Sequence, residues 1–85
     1  MSELKIKTLC NTTRLKLIKC LGQSNKTVSE LVSVCGLSQS AVSQHLVKLK
    51  KAGFVKADRQ GREVIYSVTD TKLSEVSDII IKLIG

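Results

Sequence analysis

The residues of this chain best suited to contact a ligand lie between residues 36 and 53. Short serine and glutamine side chains follow a glycine turn, and lysines close the segment. Such polar side chains can hydrogen-bond to base edges in the major groove of DNA, and lysines can meet phosphate. No Asp or Glu occurs between Leu31 and Ala57. The pattern predicts the second helix of a helix-turn-helix, with solvated polar residues as the alternative. The candidate DNA contacts are Ser38, Gln39, Ser40, Ser43, Gln44, Lys48 and Lys51.

Two arginines on either side of Gly61 form a second candidate contact. Arg59 and Arg62 flank what the sequence predicts to be the tip of a hairpin. Arginines in such a place suit the minor groove of DNA or its phosphates. A charged turn that is only solvated is the alternative, and both interpretations stay open.

Arg14 and His45 lie near apolar positions of their predicted helices. On a helical wheel Arg14 falls between Leu17 and Ile18, on the apolar side of its helix. This position favours an internal ion pair or a backbone contact over contact with DNA. His45 is the only histidine, and one imidazole cannot form a metal site alone. Its position near Leu49 predicts hydrogen-bonded packing between helices, with base reading as the alternative.

The three cysteines lack the spacing of a disulfide framework, and their odd number suits a reducing cytoplasm. Cys35 belongs to a predicted buried stripe, where an inert core thiol is expected. Cys10 at a helix end and Cys20 on a polar helix face are the candidate redox residues. No adjacent pair indicates a thiolate tuned for reactivity, so three separate environments are predicted.

The composition narrows the class of partner. A formal charge of +7 on 85 residues favours a polyanion. Phe54 and Tyr66 are too few aromatic residues for a platform that stacks single strands, so duplex DNA is favoured. No apolar run could span a membrane, and the N-terminus lacks the core of a secretory signal. Neither paired carboxylates nor a nucleophile beside histidine is visible, which argues against an enzyme and predicts no cofactor.

The first part of the chain is predicted to be helical, because its apolar residues recur with a period near 3.6. The first is predicted from Glu3 to Leu9, and the second from a cap at Asn11 or Thr12 to Leu21, where Gly22 stops it. Residues 23–26 are predicted to be a loop.

A capping box of Thr27 and Glu30 opens a third helix, which Gly36 ends. Ser38 caps a fourth helix, which Gly53 ends. The predicted buried stripes of these two helices are Val28, Leu31, Val32 and Cys35, then Val42, Leu46 and Leu49.

After Gly53 the period of the apolar residues changes from about 3.6 to two. Alternation of apolar and polar residues from Val55 to Asp58 and from Glu63 to Val68 predicts a hairpin around a glycine turn. Thr69 or Asp70 caps a last helix rich in isoleucine. The order ααααββα is that of a winged helix-turn-helix, a mainly α fold with a small β-hairpin wing, in one domain over residues 1–85.

The isoleucines of the last helix also concern assembly. Ile79, Ile80 and Ile81 point in directions that span more than half of the helix circumference. One face can cover the domain's own core, whereas the rest needs another apolar surface. A two-fold partner is the simplest source of that surface.

Several motifs together resemble the ArsR/SmtB family of repressors. The matching segments are Leu9–Ile18, Val28–Leu31, Gly36–Leu46, Ala52–Val55 with Leu49, and Gly61–Tyr66. The resemblance implies a homodimeric winged-helix repressor that releases a palindromic operator when an inducer binds. It also implies a dimer built from the first and last helices, whose candidate interface residues are Ile6, Leu9, Val76, Ile79, Ile80 and Leu83.

The chain departs from the metal-sensing members of that family. Thr27 and Ser29 stand where thiolate ligands would lie in the third helix, and residues 70–85 contain neither His nor Cys. Soft or borderline metals need thiolate or imidazole donors, so no metal site is predicted. The alternatives to a repressor are a winged-helix module that binds a protein and a repressor that responds to thiol oxidation.

Overall fold

The computed structural model describes residues 3–84, except for the side chains of Leu4 and Ile84. Five helices and three short strands form a mainly helical fold with a small antiparallel sheet, which confirms the predicted class. The elements in chain order are α1 (Glu3–Leu9), α2 (Thr12–Gln23), β1 (Lys26–Thr27), α3 (Val28–Cys35), α4 (Gln39–Lys51), β2 (Val55–Gln60), β3 (Glu63–Val68) and α5 (Thr71–Ile84).

Strand β1 is the element that the predicted order omitted. Ser24 and Asn25 of the expected loop 23–26 are irregular as predicted, but Lys26 and Thr27 form a strand in which Lys26 pairs with Tyr66 and Thr27 with Ile65. The sheet order is therefore β1-β3-β2, with the wing hairpin extended by one strand. Two residues are too few to show a period, so this strand is specified by its pairing with β3.

The end of α2 was also predicted wrongly. The helix passes through Gly22 to Gln23. A Cβ at position 22 would collide with the Ser74 side chain of α5, so the glycine allows two helices to approach closely. The Lys26 ammonium donates to the Cys20 carbonyl oxygen (2.7 Å) and the Ser24 carbonyl oxygen (3.1 Å). A cation at a helix C-terminus stabilises the last carbonyl groups, which ends α2 without a glycine cap.

The predicted N-terminal caps of α2, α3 and α4 are confirmed. Asn11 Oδ1 accepts the Arg14 amide (3.1 Å), and Ser38 Oγ accepts the Ala41 amide (3.1 Å). Thr27 Oγ1 accepts the Glu30 amide (3.2 Å), while Glu30 Oε1 accepts the Thr27 amide (3.0 Å). Each bond satisfies an amide that lacks a partner within its helix. The starts of α2, α3 and α4 are thus fixed by residues only three positions apart.

One core joins α2, α3, α4 and the first residue of β2. Its fully buried side chains include Leu17, Ile18, Leu21, Leu31, Val42, Leu46, Leu49 and Val55. The predicted inner stripe of α4 is confirmed. In α3 only Leu31 is completely buried, because Val28, Val32 and Cys35 lie at the edge of the core and stay half-buried. No helix in residues 3–84 is long and apolar enough to cross a membrane.

Candidate nucleic-acid interface

Helix α4 presents a polar face to solvent because its apolar residues are buried on the opposite side. Val42, Leu46 and Leu49 are buried in the core. Ser43 and His45 are half-buried at the flanks. The exposed residues of the face are Gln39, Ser40, Gln44, Val47, Lys48 and Lys51. Most of the residues that the sequence predicts to contact DNA therefore lie on one accessible surface, with Ser43 at its border.

Two hydrogen bonds order the first turns of this face. The Ser38 hydroxyl oxygen accepts the Ala41 amide, and its hydroxyl hydrogen and second lone pair stay available to a ligand. Gln44 Nε2 donates to Ser40 Oγ at 3.4 Å. The amide oxygen of Gln44 is left to accept a bond, and its second Nε2 hydrogen to donate one. A side-chain amide in that state can pair bidentately with adenine.

All charged side chains of α4 are lysines. Lys48, Lys50 and Lys51 occupy the last turn and are exposed. In the described part of the chain the ion pairs lie elsewhere: Lys7 with Glu3 (3.4 Å), and Lys19 and Lys82 with Asp78 (2.8 and 3.0 Å). The ammonium groups of α4 are thus not neutralised by these carboxylates. They are available to phosphate.

The wing carries its arginines in two different settings. Gly61 and Arg62 form the two-residue turn between β2 and β3. A positive φ of 65° at Gly61 alone suits a type II′ hairpin turn, which takes glycine at its first position. Arg59 lies within β2, opposite Val64, and its Nε donates to the Gly61 carbonyl oxygen (3.4 Å). Only Arg62 belongs to the turn, although both arginines are exposed.

Arg14 and His45 lie close together where α2 packs on α4. Arg14 Nη1 donates to the Thr8 carbonyl oxygen (3.4 Å), so the expected backbone contact is present and the expected ion pair is not among the described residues. His45 packs between helices as predicted, but its buried Nδ1 has no hydrogen-bond partner in residues 3–84. Burial lowers the pKa of His45, and the charges of Arg14 and Lys48 lower it further.

The cysteines contradict the prediction of three separate environments. Cys10 is exposed after α1, whereas Cys20 of α2 and Cys35 of α3 are half-buried and close enough to interact with each other. Both also line one open groove of about 370 Å³ between α2 and the end of α3. Cys35 is therefore half-buried at the edge of the core and not enclosed in it as the sequence predicted. A contact between helices leaves no mark on residue spacing, so the sequence could not show it.

A second surface, distant from α4 in sequence, is apolar. Exposed fractions are 49% for Ile6, 46% for Val76, 57% for Ile79 and 79% for Leu83. Leu9 and Ile80 are half-buried and line a groove beside α1 and α2. All six candidate interface residues thus lie on α1 and α5, and four of them have large exposed fractions. No group of three or more metal-ligating side chains occurs within residues 3–84.

Solved structures with this architecture are winged-helix regulators. Reduced HlyU from Vibrio cholerae superposes with a TM-score of 0.80 at 31% identity, over 95% of this chain and 85% of that one. The transcriptional repressor BigR from Xylella fastidiosa gives a TM-score of 0.83 at 27% identity, over 96% and 84%. The fold is therefore that of a winged-helix regulator.

Sequence comparison defines the family. The profile described as "Bacterial regulatory protein, arsR family" matches residues 11–57. The HTH-type transcriptional repressor SmtB of Mycobacterium tuberculosis is 38% identical over 71 residues, which are 84% of this chain and 53% of that protein. This chain belongs to the ArsR family, whose members are transcriptional regulators and not enzymes. It spans about half of the mycobacterial repressor's length.

Proposed function

We propose that this protein is a transcriptional regulator that binds duplex DNA in a sequence-specific manner, with α4 in the major groove. The observation that carries the proposal is the exposed face of α4, which is polar at its start, basic at its end and free of acidic residues. A helix of this kind fits the groove because short side chains let its backbone approach the bases. The name of the mycobacterial relative, an HTH-type transcriptional repressor, supports the same function.

The proposed contacts divide into base reading and phosphate binding. Gln39, Ser40 and Gln44 face the bases from the first turns of α4, with Ser43 at their flank and Ser38 beside the backbone. Lys48 and Lys51 meet phosphate at the end of the helix, where each neutralised charge releases counterions. Arg62 and Arg59 reach from the wing to the adjacent minor groove or its phosphates.

The proposed active form is a homodimer on a palindromic operator. The exposed apolar residues of α1 and α5 would otherwise face water, and a second copy covers them by two-fold symmetry. Two α4 helices related by that axis read two half-sites about one helical turn apart, roughly 34–36 Å. Repression follows when the dimer occupies an operator within a promoter.

The test is binding of the purified protein to fragments selected from genomic DNA, followed by fluorescence anisotropy. Affinity for the selected duplex should fall by about 10³–10⁵ between 50 and 200 mM salt, as expected for roughly 6–10 phosphate contacts. Lys48→Ala should lower the slope of that dependence by about two, one for each protomer of the dimer, whereas the exposed Lys72→Ala on α5 serves as a matched control and should leave it unchanged.

Failure to enrich any fragment, together with equal weak affinity for all duplexes, would overturn the proposal. That result would favour a winged-helix module that binds a protein instead of an operator.

A further inference from the structure

Cys20 and Cys35 are the two cysteines of residues 3–84 whose side chains interact with each other. Cys20 lies near the end of α2, and Cys35 is the last residue of α3. Their side chains are close enough to interact across the two helices. Both residues also line the open groove between α2 and α3, so a small reagent can reach the pair from solvent.

The groove is basic and contains no carboxylate in its lining. Lys16 and Lys19 of α2 border it, together with Thr13, Gln23, Val34 and Leu37. The pKa of Lys19 is raised by its hydrogen bond and ion pair with Asp78, and the neighbouring Cys20 sulfur adds a smaller contribution. Cationic side chains next to a cysteine favour its thiolate, which is the reactive form.

The two thiols have different roles in this contact. Burial raises the pKa of the Cys35 thiol and the neighbouring Cys20 raises it further, whereas the charges of Lys16 and Lys26 lower it. Cys20 lies on the same helix as the bordering Lys16 and Lys19, so it is assigned the first reaction with the oxidant. Cys35 is the thiol that reacts with the product.

We propose that Cys20 and Cys35 are a peroxide-oxidised pair that closes to a disulfide between α2 and α3 and thereby weakens DNA binding. The second part rests on the proposed function, since it concerns affinity for the operator. The pairing joins two helices of the DNA-binding core and leaves the apolar surface of α1 and α5 unchanged.

The chemistry needs a hydroperoxide as the oxidant. The Cys20 thiolate attacks one peroxide oxygen, the O–O bond breaks, and protonation of the leaving oxygen gives an alcohol, or water from hydrogen peroxide. The sulfur is oxidised to a sulfenic acid by two electrons. The Cys35 sulfur then attacks the Cys20 sulfur, an S–S bond forms, and the sulfenic hydroxyl leaves as water with the Cys35 proton. Two thiols and one hydroperoxide thus yield one disulfide, one alcohol and one water.

A metal ion is the less favourable ligand for this pair. Two thiols are the only soft donors of the groove, and the two bordering lysines repel a cation. Zinc sites of four protein ligands, or of three with water, need more donors than the groove holds.

A disulfide here would act on α4 through the short turn between the helices. The S–S bond is about 2 Å long, so closure must draw the two sulfurs together. Cys35 ends α3, and Gly36 in the left-handed conformation leads directly towards the start of α4. Movement of Cys35 is therefore transmitted to the residues that begin the DNA-contacting face.

The experiment uses the full chain, reduced and then treated with hydrogen peroxide in slight excess. Peptide mapping by mass spectrometry should find a Cys20–Cys35 disulfide and the intact mass should fall by two hydrogens. Cys35→Ser should instead accumulate a sulfenic acid at Cys20 that a dimedone probe traps. Cys10→Ser is the matched control and should form the disulfide as the wild type does. Oxidation should weaken affinity for the selected duplex by about tenfold or more, and a phosphine reductant should restore it.

The outcomes separate the two proposals. Disulfides only between Cys10 residues of two chains, or no peroxide-dependent disulfide, would overturn the assignment of the pair even if the reduced protein binds DNA. A mapped Cys20–Cys35 disulfide with unchanged DNA affinity would overturn its regulatory role. A reduced protein that binds no duplex would refute the proposed function while leaving the mapped disulfide intact. Stoichiometric cadmium–thiolate absorbance without peroxide reactivity would assign the pair to a metal.

Discussion

Gly22 of α2 lies directly against Ser74 of α5, with no room for a Cβ between them. This contact is made inside a helix, where glycine costs about 0.5–1 kcal/mol relative to alanine. The close approach lets α5 pack along α2, and it is accompanied by the Lys19–Asp78 ion pair across the same two helices. Helix α5 is thereby fixed with its isoleucines directed partly outward.

Gly22→Ala should therefore destabilise the protein, although alanine is the better helix former. We expect a loss of about 1–3 kcal/mol from overpacking, partly offset by about 1 kcal/mol of helix propensity. Urea denaturation measures the difference. The Gly22→Ala and Ser74→Gly double variant should recover stability relative to the sum of the single changes, because it restores the space. Additive effects would show that the two residues do not compete for the same volume.

A charge on the exposed apolar face of α5 should prevent dimer formation. Leu83→Glu is the suitable variant, since its side chain is 79% exposed in the single chain and its replacement leaves the core intact. Ile80 is half-buried, so a charge there could also unfold the domain. Sedimentation should show a dimer for the wild type at micromolar concentration and a monomer for Leu83→Glu. Val34→Glu, which adds a charge to exposed α3, should remain dimeric; a monomeric wild type would contradict the dimer proposal.

Base reading and phosphate binding should respond differently to mutation. Gln44→Ala removes a side chain able to form a bidentate contact in each half-site, so it should cost about 1–3 kcal/mol per half-site on the selected duplex and relax discrimination among sequences. Arg62→Ala on the wing should weaken all duplexes by similar factors. Competition assays with specific and non-specific DNA compare the two. Equal losses on both kinds of DNA for Gln44→Ala would argue against base reading by this residue.

The stability of the fold should fall as the solution becomes mildly acidic. His45 has a lowered pKa in the folded state because of burial and then of the Arg14 and Lys48 charges. The unfolded chain binds a proton at a higher pH, near 6.5, than the folded chain does. Stability is complete above that value and is lost as the pH decreases towards the folded pKa. Urea denaturation between pH 7.5 and 5 should show a smaller decline in the free energy of unfolding for His45→Gln than for the wild type. Identical declines would exclude His45 as the source of the pH dependence.

Zinc should not release the protein from DNA. The described residues contain no group of three metal-ligating side chains, and the Cys20–Cys35 pair offers two donors beside lysines. A ligand shifts an equilibrium only by its differential affinity for the two states. Zinc titrated into a preformed complex under reducing conditions should leave the anisotropy unchanged. Release at stoichiometric zinc, and its loss in Cys20→Ser, would contradict the prediction.

Local patterns account for what the sequence predicted well. The caps at Asn11, Thr27 and Ser38 depend on residues three positions away, and the core stripe of α4 depends on a helical period. Contacts between distant segments were missed. The continuation of α2 through Gly22 depends on Ser74, and strand β1 depends on its partner β3. The contact of Cys20 with Cys35 likewise depends on how α2 and α3 pack, which spacing does not reveal.

Strand β1 has a consequence for the kind of DNA that this protein would select. Thr27 pairs with Ile65 of the wing and also caps α3, so the hairpin and the helix-turn-helix share one residue. The separation between α4 and the Arg62 turn is then set by the protein. An operator must bring its major groove and the neighbouring minor groove to that fixed separation, by bending or by narrowing the minor groove. Sequences that deform at low energetic cost would be preferred even at base pairs that no side chain touches.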